Sequence, residues 1–257
     1  MLSKNKIKHI VSLQRKKNRD DERLYVIEGD KIVKEFLGSD AGIVSLIAKP
    51  EYIAGCNRDH LEKISEVIPV SYEELKKLST LKTPHNALAV VKMPEHDNKN
   101  DFNFDGITAA LDFIQDPGNL GTIIRAAAWF GINTVYCSEN CVDVYNPKVI
   151  QATMGAILNV RVVYTDMIIL LEKARQQGVP VFGTLLDGEN IYTATLPGSG
   201  LIILGNESRG ISDNLLPFID MKLSIPKFSS SDRGVESLNA GMAASVAFSE
   251  FARRALV

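Results

Sequence analysis

Three stretches of this 257-residue chain gather residue types that can hold and orient a reacting group. The first runs from Asp116 through Pro117, Gly118, Asn119 and Gly121 to Arg125. The second is LIILGNESRGIS, where Asn206, Glu207, Ser208 and Arg209 stand between Gly205 and Gly210. The third, IPKFSSSDRGVESLN, ends in Ser237, Leu238 and Asn239. Glycine lets backbone approach a ligand closely, and a helix start offers free N–H groups. Each stretch alone also has an ordinary reading: Gly, Asn and Ser make turns, Arg125 suits a surface, and Ser237 suits a helix cap. Other chemistries lack their residues. There is no G-x-G-x-x-G after a first strand, no Walker A loop, no HExxH and no G-x-S-x-G. Cys137 and Cys141 lie four apart with no second pair and no histidine near them, so they read as ordinary thiols and no metal site is expected. Any catalysis would be positional and electrostatic, without metal or covalent nucleophile.

Such loops need elements to carry them. Residues 24–27, 43–48, 67–70 and 88–92 read as strands between helices, with Ser71 and Glu74 in capping-box spacing. Residues 94–105, rich in Asn, Asp and Lys and without apolar periodicity, read as a linker. Alternation then restarts: strands are expected near 107–111, 134–137, 160–164, 179–184, 201–204 and 221–225. Residues 112–120 read as a loop, a helix follows and closes at Gly131, and a long helix runs from about 236 to 254. The expected organisation is an α/β module over 1–93, a linker over 94–105 and a second α/β module over 106–257. An uncharged run such as 201–204 suits a strand covered on both faces of a parallel sheet, beyond whose carboxyl end a ligand would sit.

Composition narrows the class. The chain is 45% hydrophobic and 23% charged, as in ordinary globular proteins. No apolar run reaches the roughly 20 residues that cross a bilayer, no secretory leader is apparent, and three cysteines are too few for a disulfide framework. A cytoplasmic protein with no membrane partner is expected. Net charge is −2, yet the first nineteen residues carry Lys4, Lys6, Lys8, Arg15, Lys16, Lys17 and Arg19 and no acid. That cluster fits either a phosphate-backbone partner or a solvated terminal helix.

NLGTIIRAAAWFG, LGNESRGIS and SIPKFSSSDRGVESLNAGMAAS, in that order, resemble motifs one, two and three of the SpoU (TrmH-like) family of RNA ribose 2′-O-methyltransferases, within the SPOUT superfamily. LQRKKNRDDERLYVIEGDKIVKEFL resembles the start of that family's L30e-like RNA-substrate-binding domain. The resemblance spans nearly the whole chain. It implies a trefoil-knot methyltransferase domain that binds S-adenosylmethionine and forms a homodimer through the C-terminal domain. It implies an RNA substrate, ribosomal RNA in preference to transfer RNA, with no DNA partner. By position, Asn119, Arg125, Glu207, Ser237 and Asn239 are the implied catalytic residues. Thr184, Leu204, Gly205, Ile225 and Leu238 are the implied cofactor-binding residues, and Lys16, Lys17 and Arg19 the implied RNA contacts. Two departures stand out: Ala240-Gly241-Met242-Ala243 where Val-Ser-Val-Ala is usual, and a longer, serine-rich loop at 228–235. A non-catalytic RNA-binding protein that retains the fold is the alternative.

Overall fold

The structure, a computed structural model, describes residues 2–95, 101–229 and 237–254. Its internal contacts define two compact units, Met1–Glu95 with Tyr145–Leu158, and His96–Val144 with Asn159–Val257.

The first unit opens with two short helices, α1 (Lys4–Ser12) and α2 (Lys16–Glu22). It continues through β1 (Leu24–Glu28), α3 (Asp30–Leu37), β2 (Ile43–Ala48), α4 (Pro50–Ala54), α5 (Arg58–Glu62), β3 (Glu66–Pro69), α6 (Tyr72–Leu78) and β4 (Ala87–Lys92). The sheet order is β1-β4-β2-β3, with β4 antiparallel to both neighbours and β2 parallel to β3. Ser71 and Glu74 form the expected capping box at α6, each side chain bonding the other's backbone N–H. α3 buries Ile32, Val33, Phe36 and Leu37 against alternate residues of the sheet, which is why an eight-residue helix with modest intrinsic stability persists here.

Residues 145–158, read from alternation as part of the second module, belong to this first unit. They include a helix, α8 (Pro147–Thr153), that buries Val149, Ile150 and Thr153. Ile150 joins the core of Ile27, Phe36 and Leu46, and the Tyr145 ring lies 4.6 Å from that of Tyr25. Periodicity reveals that a helix has an apolar face, but not which core receives it.

The second unit holds β5 (Ile107–Leu111), α7 (Pro117–Trp129), β6 (Thr134–Cys137), β7 (Arg161–Tyr164), α9 (Met167–Gln176), β8 (Val181–Asn190), β9 (Gly200–Leu204), a 3₁₀ segment (Asp213–Phe218), β10 (Met221–Ser224) and α10 (Ala240–Arg254). The six strands are all parallel, in the order β10-β8-β9-β5-β6-β7. β9 is fully buried, as its uncharged run predicts for a strand covered on both faces. From β5 the chain winds outward to β6 and β7, then returns to the other side through β8, β9 and β10. The reversal lies between β5 and β9, where an open α/β sheet places a ligand outside its carboxyl ends.

Part of the expected linker is not a free spacer. Phe102 and Phe104 pack beside Tyr136, whose hydroxyl donates to Asn103 O at 2.9 Å and accepts from Asn103 N–H at 2.8 Å. Residues 96–100 of that segment, and 230–235 of the serine-rich loop with Glu236 after it, lie outside the described residues.

Candidate active site

The first-motif stretch folds differently from the expected loop. Asp116 is the N-cap of α7, accepting the Asn119 N–H at 2.8 Å, and Pro117 takes the first helical position, where its missing N–H is no loss. Gly118 and Asn119 therefore sit in the first turn of a helix, and Arg125 falls in the third turn. Asn119 is buried, while Arg125 is exposed and makes no ion pair among the described residues. Six residues separate them, about 240° of rotation and about 9 Å of rise, so the two side chains leave different faces.

β5 and β9 are neighbours in register, with Leu111 opposite Leu204, so the loops that follow them start side by side. Several bonds then stitch those loops together. The Asp112 N–H donates to Leu204 O at 2.8 Å, and the buried Asp112 carboxylate accepts the Ser212 N–H at 2.8 Å. Asn206 donates its side-chain amide to Phe113 O at 3.0 Å, while its own Oδ1 accepts from Ser208 and Arg209 N–H. The Arg209 guanidinium lies 4.8 Å from the Phe113 ring centroid. Phe113 has φ +61°, a left-handed conformation that costs a bulky residue about 1–3 kcal/mol and persists where the surroundings hold it. Sequence reasoning missed Asp112 and Phe113 as parts of the site, whereas Asn206 lies in the second stretch it singled out. A charged residue directly after the buried strand β5 was the available signal for Asp112.

At the centre, Glu207 Oε1 accepts a hydrogen bond from Asn119 Nδ2. Asn119 Oδ1 in turn accepts from Asn239 Nδ2 at 2.6 Å. Asn239 Oδ1 then accepts the Gly241 and Met242 N–H groups at 3.0 and 3.3 Å. One chain of side-chain bonds thus links all three stretches and ends on the first turn of α10. Asn239 is that helix's cap, so α10 begins at Ala240 rather than near 236. Ser237 and Leu238, two and one residues before Asn239, are exposed.

Gly205 has a local steric reason. A Cβ there would lie 2.2 Å from Gly210 C and 2.4 Å from Ile211 N, so only glycine lets the loop fold back on itself. The closing bridge pairs Asn206 with Gly210 in both directions, at 3.0 and 2.8 Å. The position that a side chain at 205 would occupy is taken by the loop's own backbone.

Four of the five implied cofactor residues lie on, or just past, three adjacent strands. Thr184 lies within β8, Leu204 and Gly205 at the end of β9, and Ile225 just past β10. Between Lys222 and Leu223 the β10 ladder skips residues 184–188 of β8, which bow out of register. The Leu204 side chain is sealed, 1% exposed, leaving its backbone as the only group it can offer, and its carbonyl already accepts from Asp112. Thr184 donates its hydroxyl to Ile203 O at 3.1 Å and keeps its lone pairs. Backbone groups, one hydroxyl and the apolar Ile225 and Leu238 are the mixture of polar and apolar groups from which small-ligand sites are built.

Cys137 and Cys141 are buried and unbridged, as expected. A hydrogen bond between the two thiols holds Cys137 well above its ordinary range and brings Cys141 down to about 7. The Cys141 sulfur accepts the Ile114 N–H at 3.2 Å, helping to fix the loop after β5.

Of the implied RNA contacts, Lys16 and Lys17 are exposed on α2, but Arg19 is not a surface group. It is 2% exposed, and its Nη1 donates to Leu13 O and Gln14 O at 3.0 and 2.8 Å, closing the end of α1. A guanidinium can serve orphan helix carbonyls as readily as phosphates, and sequence does not distinguish the two.

Comparison with known proteins adds the family. The SpoU rRNA Methylase family matches residues 106–249, more than half of the chain. The chain belongs to the SpoU rRNA methylase family. Residues 4–89 match the MRM3-like substrate binding domain. The chain is 28% identical to the 23S rRNA (guanosine(2553)-2′-O)-methyltransferase RlmP of Bacillus subtilis over 94% of this chain and 93% of that one. A solved TrmH-family protein from Porphyromonas gingivalis superposes with TM-score 0.87 at 36% identity, covering 99% of each chain. An AdoMet-bound rRNA methyltransferase from Sinorhizobium meliloti gives 0.84 at 25% identity, covering 100% of this chain and 97% of that one. The SpoU fold thus places the three bonded loops in a methyltransferase domain.

Proposed function

We propose that this protein transfers a methyl group from S-adenosylmethionine to a ribose 2′-hydroxyl of ribosomal RNA. The observation that carries the reading is the side-chain chain Glu207–Asn119–Asn239, which joins the three family motifs at the carboxyl edge of the sheet. When bound, S-adenosylmethionine supplies a methyl group already activated on a sulfonium. The protein's work is therefore to hold the hydroxyl in line with that methyl and to exclude other geometries.

Thr184, Gly205, Ile225 and Leu238, with the Leu204 backbone, would hold the cofactor. Asn119 and Asn239 offer amide groups to the ribose, and Glu207 fixes the Asn119 amide orientation through its hydrogen bond. Ser237, exposed beside them, adds a hydroxyl. An arginine side chain offers five donors and no acceptor, so Arg125 suits an RNA phosphate, held by its two-pronged guanidinium, better than proton abstraction. The hydroxyl proton becomes strongly acidic as the O–C bond forms, which lowers the demand for a strong base.

The same reading includes three further parts. The second unit carries the family's trefoil knot. The protein is cytoplasmic. It is a homodimer through the C-terminal domain, supported by Trp129 on α7 and Met242 on α10, which are 84% and 57% exposed. Exposed large apolar groups on two helices packed together suit a partner surface. The direct test incubates the protein with radiolabelled S-adenosylmethionine and RNA from cells lacking the gene, then maps 2′-O-methylation. Incorporation at one ribosomal nucleotide supports the proposal. RNA binding without cofactor binding or transfer would favour a non-catalytic RNA-binding protein.

A further inference from the structure

A carboxylate organises one edge of the first unit. Glu28, at the end of β1, is buried, and its side chain accepts from the Ser79 hydroxyl, the Thr80 hydroxyl and the Thr80 N–H, the last at 3.1 Å. Its carbonyl oxygen accepts Nε2 of Gln151, on α8, at 2.6 Å. Two residues on, Asp30 accepts the Asn86 N–H at 2.8 Å and the Asn86 side-chain amide at 2.5 Å. The loop 79–86 is therefore held at both ends by the turn Glu28-Gly29-Asp30, with Pro84 buried beneath it and Lys82, Thr83 and His85 exposed. Burying a carboxylate is expensive, and the hydrogen bonds that compensate it here all come from this loop, while the Glu28 backbone carbonyl holds α8.

Glu28, Gln14, Thr80, Pro147 and Gln151 line one small cleft, so the α1–α2 turn, the clamped loop and the start of α8 adjoin. Segments 14–17, 79–86 and 146–151 together contain Arg15, Lys16, Lys17, Lys82 and Lys148 and not one acid, on a chain whose net charge is −2. All five are exposed. Lys16 and Lys17 also stand at the N-terminal end of α2, the less favourable end for a cation, so helix stability does not account for them.

We infer that these three segments form one phosphate-binding face for the backbone of a folded RNA, with Lys82 and Lys148 as contacts and Glu28 as the positioning residue. The inference rests on the reading that the protein acts on RNA, and it places that RNA on a defined edge of the first unit. A lattice of cations from three segments matches the repeated charge of a nucleic-acid backbone, where a protein partner would call for apolar groups at its centre.

The test uses the full-length protein and a fluorescein-labelled transcript of a structured large-subunit rRNA fragment, with anisotropy read across about 50–200 mM salt. Lys82→Gln/Lys148→Gln should weaken binding about tenfold and reduce the slope of log K against log salt by roughly 1.4–1.8. Lys34→Gln/Lys63→Gln, the same charge change elsewhere on the unit, should alter the slope far less. Equal losses in both pairs, or none in the first, overturn the face. Glu28→Gln gives an opposite-sign check: charge alone predicts tighter RNA binding, loop positioning predicts weaker. Tighter or unchanged binding removes Glu28 from the assignment, and if that variant fails to fold the lysine pairs still decide. Calorimetry of the unsubstituted protein with S-adenosylmethionine separates the two readings. No cofactor binding with an intact salt response sinks the methyltransferase reading alone, whereas cofactor binding with unaffected lysine variants sinks the face alone.

Discussion

Glu207 is the residue whose role the geometry sharpens most. Its Oε1 accepts from Asn119, so it acts on the site by fixing an amide. Glu207→Ala should lower kcat by about 100-fold, the cost of roughly an ångström of misplacement. Glu207→Gln keeps an acceptor oxygen and should retain most of the activity. If the glutamine variant is as slow as the alanine one, the carboxylate charge itself is required and the orienting role fails. Arg125 is the counterpart. Exposed and unpaired among the described residues, it contributes little to folding, so Arg125→Ala should leave the melting temperature and cofactor affinity nearly unchanged while abolishing transfer. Single-turnover transfer assays beside cofactor calorimetry check this, and retained transfer would remove Arg125 from catalysis.

Among the elements, α7 and α10 decide whether Asn119 and Asn239 meet. Their approach depends on Gly241, where a Cβ would lie 3.0 Å from the Thr122 side chain. α10 also buries Ala240, Ala244 and Ala247, so these small residues serve the interior of the subunit. Gly241→Leu should push α10 off α7, destabilise the second unit by about 1–3 kcal/mol and slow transfer, because it displaces the helix that Asn239 caps. Denaturant unfolding and transfer rates test it together. Full stability with normal rates would mean that α10 can pack without close contact. The loop after β9 is the second such element: bridged to itself through Gly205 and braced by Asn206, it holds Glu207 in place with little freedom.

For the whole molecule, the proposed dimer can be read through the chain's one tryptophan. Trp129 is largely in water in the single chain, so its emission should lie to the red at high dilution and shift to the blue as the dimer forms. Trp129→Glu should move sedimentation toward the monomer while leaving the unfolding transition of each unit in place. Concentration-independent emission and sedimentation would argue against this helix as the contact. The two units also bear on design: the segment Tyr145–Leu158 lies between second-unit segments in the chain but packs in the first unit, so a truncation at residue 95 would remove that segment's core partners.

Local pattern determined a great deal. Alternating apolar runs located most strands, the capping box at Ser71 and the closing glycine at Gly131, because these features depend on neighbours in sequence. The three motif stretches were legible too, since their residue types and order are themselves the signal. Tertiary structure decided what each polar side chain does with its hydrogen bonds. Arg19 is a buried brace, Gly205 makes room for its own loop, Asn239 caps a helix, and residues 145–158 belong to the other core. Each outcome depends on a partner distant in sequence, and residue type alone states only what bonds a group can make, never which partner will be within reach to make them.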